Sequence, residues 1–208
     1  MNKLKHHFTF DIRLLKGVYT IPFIGYIIAL LLIITGYLKS TDPYLPYIFL
    51  QGIAVPVSGL HLVFLYSFIY DEGAKEILLP YYKNNLIYDL IRYSILHGFI
   101  LLIFTCILIW MNGFDFFDVK IMLHLILLFV FYQIIGVTLL SLVESLELSI
   151  AIYATYTLTE VITKGTFLPW PHIFQFEEPI INIWLILTFL FLTLGIILSI
   201  IQLVRSYK

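Results

Sequence analysis

The stretch IYDEGAKEILLPYYKNNLIYDLIR, residues 69–92, separates two long apolar runs and decides how the rest of the chain is read. Neither neighbouring run, 45–68 or 93–112, contains an Asp, Glu, Lys or Arg. A bilayer core about 30 Å thick takes roughly twenty apolar residues of helix, and each run supplies that. Between them the chain displays Asp71, Glu72, Lys75 and Glu76 around Gly73, and then Ile77, Leu78, Leu79 and Pro80. Three consecutive large apolar residues have no use in a solvated connector. They are expected to lie against lipid or against a partner protein.

The composition agrees with a lipid solvent. The 208 residues are 61% hydrophobic and 12% charged, with a mean hydropathy of +0.99. Soluble domains carry about 25% charged residues. One all-α unit of packed helices is expected rather than two separate cores. The net charge of −1 and the lack of a long basic run give no means of tracking phosphates, so no nucleic-acid partner is expected. Cys106 is the single cysteine, which rules out a disulfide framework within the chain and a CxxC redox site. The first apolar run is about twenty residues long with no Ala-x-Ala site after it, and is read as a retained span rather than a cleaved signal.

Six spans are expected, near 18–38, 45–68, 93–112, 120–142, 145–163 and 180–203. Turn or charge signals mark the breaks at 39–46, 69–92, 112–118, 144–148 and 164–179. Glu144 and Glu147 would be costly in mid-membrane, so a tight turn is placed there, with both acids hydrated or touching a cytoplasmic partner. An even number of spans puts both termini on one side. With that side cytoplasmic, nine Lys and Arg residues lie inside and only Lys39, Lys120 and Lys164 outside, as the positive-inside rule requires. The expected location is the cell (inner or plasma) membrane.

Residues 1–17 are not a span. Leu4, Phe8, Ile12 and Leu15 recur at helical spacing while Lys5, Asp11, Arg13 and Lys16 fall mostly elsewhere on the wheel. That pattern is an interfacial amphipathic helix ended by Gly17, leaving 18–208 as the transmembrane domain. A frayed tail that only supplies inside charge is the alternative.

Within 69–92, AKEILL has the composition of a short helix, with Pro80 closing it. The run DEGAKEILLP resembles the loop after the second span of type-2 ATP-binding-cassette exporter permeases, where an acid, Gly-Thr-x-Glu, apolar residues and a proline follow one another. Ala74 stands where the family usually has Thr or Ser, and Pro80 comes about two residues early. The layout along the whole chain is also similar. The resemblance implies that Asp71, Glu72, Gly73, Glu76, Ile77, Leu78, Leu79 and Pro80 form a cytoplasmic coupling helix seated in a groove of a separate ATP-binding subunit, present in two copies. It further implies a second permease copy or a related permease, and ATP with Mg in the partner only. The chain has no G-x-x-x-x-G-K-[ST] loop and is expected neither to hydrolyse ATP nor to carry a cofactor of its own.

The stretch KGTFLPWPHIFQFEEP, 164–179, lies on the expected outer side. Pro169 and Pro171 around Trp170 prevent a continuous helix, and Phe167, Leu168, Trp170, Phe174 and Phe176 suit a membrane interface. The resemblance implies a re-entrant segment that gates the route from outside; a lipid-facing aromatic loop is the other reading. Glu160 and Lys164, four apart, are expected to pair as an anchor on one helix face. His61, His97 and His124 stand alone in different spans without metal-ligand spacing, and read as polar packing groups. Gly52 and Gly59 lie on one face of the second span, yet no Gly-xxx-Gly occurs.

Three functions compete. The first is a permease that exports a hydrophobic or amphipathic compound such as an antimicrobial peptide, toxin, drug or lipid-like molecule. The second is the substrate-capture subunit of a vitamin importer, similar in length and span number but usually without the acid-Gly-x-x-Glu-Leu-Leu loop. The third, an intramembrane protease, is weakened at PVSGLHL, 56–62, because Pro56 stands where a glycine should precede Ser58 by two.

Overall fold

The computed structural model describes residues 2–40, 42–70, 75–167, 172–177 and 183–206; for 2–6, 75–76, 79–84 and 115 it describes the backbone alone. Among the described residues the fold is helical without a strand. Helix α1 is Asn2–Leu15, α2 Ile21–Lys39, α3 Leu45–Phe49 and α4 Val55–Ser67. A π-helical turn, Leu50–Ala54, joins α3 to α4. Helix α5 is Lys75–Asn112, α6 Val119–Val143, α7 Leu146–Thr163 and α8 Ile183–Ser206.

Among the described residues five stretches are long and apolar enough to cross a membrane: 7–39, 45–70, 85–112, 119–143 and 183–206. Helix α7 occupies the place of the expected fifth span but is not among them. Its 18 residues reach only about 27 Å, and it carries Glu147 and Glu160. The remaining five expected spans each coincide with one of these stretches.

Helices α4 and α6 form the centre, and both approach so closely that glycine is required. A Cβ on Gly59 would collide with the backbone carbonyl of Tyr132, and one on Gly136 would lie 2.5 Å from Val63. Gly52 makes room for Val161 of α7 in the same way. The small residues of the second span are therefore consumed by contacts inside the chain. Helices α2, α5 and α8 surround this pair and turn apolar faces outward, including Ile27, Leu31, Ile95, Phe99, Ile186 and Leu190.

Three junctions are set by local chemistry. Asp118 starts α6: its carboxylate accepts from the Val119 N–H at 2.6 Å and pairs with Lys120 at 3.0 Å. The Lys120 hydrogen bond first, and that from Val119 next, hold this exposed carboxyl below the usual carboxylate range. Glu144, left-handed at φ 55°, closes α6, and Ser145 caps α7 by accepting from Leu148 N–H at 3.4 Å. Glu147 then sits in the first turn of α7, where the helix dipole favours an acid. The expected tight turn is thus present at 144–145.

The break after α1 differs from expectation. The positive φ of 50° belongs to Lys16, not Gly17, and a Cβ on Gly17 would meet nothing within 4 Å. Gly17→Ala is expected to change thermal stability by less than about 0.5 kcal/mol, as measured by unfolding in detergent.

The polar stretch that opened the sequence reading also behaves differently. Lys75 begins a helix of 38 residues that passes through Pro80 without stopping and continues into the third span. Pro80 is the sixth residue of α5, past the first turn, so it removes the hydrogen bond that position 80 would donate to the Glu76 carbonyl, and the helix continues through it without that bond. The expected short helix closed by Pro80 is instead the leading end of α5. At 1.5 Å per residue α5 is about 57 Å long, nearly twice a hydrocarbon core.

Candidate functional site

Two buried polar clusters occupy the bundle, and a third group of side chains holds the segment 172–177. The first cluster centres on Arg92 of α5. Its Nη2 donates to Asp11 of α1 at 2.5 Å and to Asp89 at 2.7 Å. Tyr93 donates its hydroxyl to Asp11 at 2.8 Å, and Tyr66 donates to Asp89 at 3.2 Å. Phe8, Tyr88 and Tyr93 surround the guanidinium, with ring centroids 4.7–5.8 Å from its carbon. Asp11, Asp89 and Arg92 are all buried. The sequence reading set Asp11 on the outer, polar side of an interfacial helix. The structure turns it inward, because a cation on α5 stands ready to receive it, and leaves Ile12 half exposed.

The second cluster joins histidines that the sequence reading kept apart. His61 Nδ1 and His97 Nε2 are 2.9 Å apart, His61 Nε2 is 2.8 Å from the Tyr19 carbonyl, and His97 Nδ1 is 2.7 Å from the Tyr26 hydroxyl. The tautomers follow from these partners. A carbonyl only accepts, so His61 carries its proton on Nε2 and accepts on Nδ1. His97 must then donate from Nε2 and accept from Tyr26 through Nδ1. The chain of donors runs from Tyr26 through His97 and His61 to Tyr19, complete with both rings neutral. Tyr93 stacks on His61 at 5.1 Å and 20°, linking the two clusters. Ser58, three residues before His61, spends its hydroxyl on its own helix, donating to the Val55 carbonyl at 2.6 Å.

His124 repeats the arrangement at the other end of the molecule. Tyr47 donates to its Nδ1 at 2.8 Å, and its Nε2 donates to the Ile173 carbonyl at 2.7 Å. That carbonyl belongs to 172–177, an irregular segment that enters the bundle. Gln51, buried on the π turn, accepts from the Gln175 N–H at 3.0 Å and donates to the Gln175 carbonyl. Thr188 donates to the carbonyl of His172 at 3.2 Å. Ile173 and Phe174 are buried, and Phe174 stacks on Tyr132 at 6.2 Å. Irregular backbone inside a bundle survives only where its polar groups are paired, and side chains from three elements supply the pairing.

Glu160 belongs to the same region. It is fully buried and receives His172 Nδ1–H, at 2.9 Å and 3.2 Å from its two oxygens. The expected partner, Lys164, instead ends α7 in the left-handed conformation, with its side chain exposed. Gly165 follows at φ 73°, and a Cβ there would press on the His172 ring at 3.2 Å. The turn thus directs Lys164 away and His172 in.

Of the residues expected to couple to a partner, Asp71, Glu72 and Gly73 lie outside the described residues. Glu76, Leu79 and Pro80 are on the first turns of α5. Ile77 is 80% exposed there, while Leu78 is half-buried against the cluster containing Leu62 and Tyr93. Of the expected outer segment, Pro169, Trp170 and Pro171 are outside the described residues. Phe167 is exposed and Phe174 is in the core. Among the described residues no group of three or more His, Cys, Asp or Glu could hold a metal. Sequence reasoning missed Gln51, Arg92 and the His61–His97 pair; a polar residue in an otherwise apolar span was the available signal.

Gln51→Leu tests the hold on 172–177. It leaves the Gln175 N–H and carbonyl without partners and should cost about 2–4 kcal/mol. A cysteine at Phe176 should then react faster with a water-soluble maleimide, while the same cysteine in the unaltered protein stays slow.

Fold and site together define an all-α, multi-pass membrane protein whose core is cross-linked by buried polar side chains. Neither the protein-family models, the curated proteins nor the solved structures contain a match to this chain.

Proposed function

We propose that this chain is the membrane-spanning permease subunit of an ATP-driven exporter that moves a hydrophobic or amphipathic compound out of the cell. The energy comes from a separate cytoplasmic ATP-binding subunit in two copies, and the route is completed by a second permease copy or a related permease. The observation that carries this reading is the leading end of α5. The acid-Gly-x-x-Glu-Ile-Leu-Leu-Pro pattern leads in sequence into a single 38-residue helix, and Ile77 stands 80% exposed near its start.

A rod of that length acts as a lever. Arg92 lies about 30 Å along α5 from Asn112, the thickness of a hydrocarbon core, so the residues before it extend past the membrane boundary. Movement imposed on the end near Glu76 and Ile77 would be carried along the one helix, through Pro80, to Arg92 and His97. Nucleotide-dependent contact at that end would bias two arrangements of the spans. The segment 172–177, held by Gln51, His124 and Thr188, is the natural closure at the opposite end.

The test is Glu76→Ala combined with Ile77→Ala; Leu78 is spared because it packs within its own bundle. Membrane insertion and melting temperature should be unchanged, ATP hydrolysis by the assembled complex should persist, and export should fall at least about tenfold, a loss of differential contact worth roughly 1.4 kcal/mol or more. Unaltered export, or labelling of a cysteine at Lys75 from the outer face alone, would remove the basis for an exporter.

A further inference from the structure

Helix α1 contains one acid, Asp11, beside Lys3, Lys5 and Arg13, and Lys16 follows directly. In the structure that acid is not on the surface. It is clamped inside by Arg92 and Tyr93. His7 packs against Tyr88 at 5.1 Å and Phe8 against Tyr93 at 5.9 Å, so α1 is fixed to α5 at the level of residues 88–93. With Asn112 taken at one boundary, the helical rise puts that level about one hydrocarbon thickness away, at the other. On that placement the helix lies at the height of the phospholipid headgroups.

What α1 presents outward is the remainder of its wheel. Arg13 and Lys16 are exposed, and Phe10 and Ile12 are 50% and 49% exposed on either side of Arg13. At 100° per residue, Phe10 and Ile12 lie on either side of Arg13 rather than forming one apolar face, and Lys16 follows at the end of the helix. This disposition places two short apolar contacts at the acyl boundary and the cations at phosphate height. With Asp11 outward, the same surface would be partly neutralised; with Asp11 inward, no acid among the described side chains of α1 is exposed.

We propose that the exposed face of α1 is a binding surface for anionic phospholipid headgroups, created by withdrawal of Asp11 into the Arg92 clamp. The proposal rests on the membrane assignment and not on the exporter reading. It is tested on the full chain reconstituted into bilayers of phosphatidylcholine alone or of phosphatidylcholine with phosphatidylglycerol, following amide hydrogen exchange across residues 7–17. Two headgroup-facing cations should slow exchange in the anionic bilayer by up to about thirtyfold, and high salt should abolish the difference. Arg13→Gln with Lys16→Gln should also abolish it, with an unchanged melting temperature showing that the clamp is intact. Equal exchange in the two bilayers overturns the proposal. So does a difference that survives high salt or the double substitution, since Phe10 and Ile12 alone would then account for it.

Discussion

Arg92→Met is expected to lower stability by about 3–5 kcal/mol, because it leaves two buried carboxylates facing each other with no cation between them. Asp11 and Asp89 come from different helices and meet at one guanidinium nitrogen, at 2.5 Å and 2.7 Å. The hydroxyls of Tyr66 and Tyr93 can solvate these carboxylates but cannot neutralise them. Thermal unfolding in detergent measures the loss, and hydrogen exchange should show α1 detaching first. Replacing all three groups, Arg92→Met with Asp11→Asn and Asp89→Asn, should recover most of the stability, since a neutral buried cluster avoids the desolvation of charge. A single Arg92→Met variant within about 1 kcal/mol of the parent would mean that the cluster is not the tie between α1 and α5.

Gly59→Ala should be the costliest single methyl group in the molecule, at about 3 kcal/mol. The atom it strikes is the backbone carbonyl oxygen of Tyr132, which cannot swing aside as a side chain can. The Tyr153 hydroxyl is also within 2.9 Å of the new carbon, and its 2.5 Å hydrogen bond to the Pro56 carbonyl would be displaced. Helices α4 and α6 must separate, and the polar contacts across them, such as Gln133 to the Ser58 carbonyl at 2.9 Å, lengthen with them. Gly98→Ala is the matched control. Its Cβ would meet only the Phe129 ring at 3.8 Å, an ordinary contact, so the better helix propensity of alanine should stabilise by up to about 1 kcal/mol. Equal effects from the two substitutions in a melting experiment would contradict the close approach at Gly59.

The all-α class and most helix positions were legible because lipid solvent imposes long apolar runs, and the acids at 144 and 147 marked their turn. Sequence periodicity did not show that α7 is shorter and less apolar than the other five stretches, since Glu160 looked like an end-of-helix anchor. Its partner, His172, is twelve residues away through a turn whose left-handed residues, Lys164 and Gly165, set the direction. The same limit hid the His61–His97 pair. Each ring was visible in its own run, but which faces of α4 and α5 meet is decided by packing around α4 and α6. Pro80 misled for a different reason: a proline inside a helix looks, in sequence, like one that ends it. Residues 71–74 and 168–171, which the family resemblance singled out, lie outside the described residues.

The π turn at Leu50–Ala54 fixes the angular phase between the two ends of the second span. Winding one more residue into that turn lets Gln51 face Gln175 while His61, ten residues on, faces His97 and Tyr19. Deleting one residue between 50 and 54 would restore an unbroken α-helix and rotate the half before the turn by about 100° relative to the half after it. Gln51 and His61 could then no longer both reach their partners, so a shortening of one residue here would do what no side-chain substitution does: put the two ends of the helix out of step.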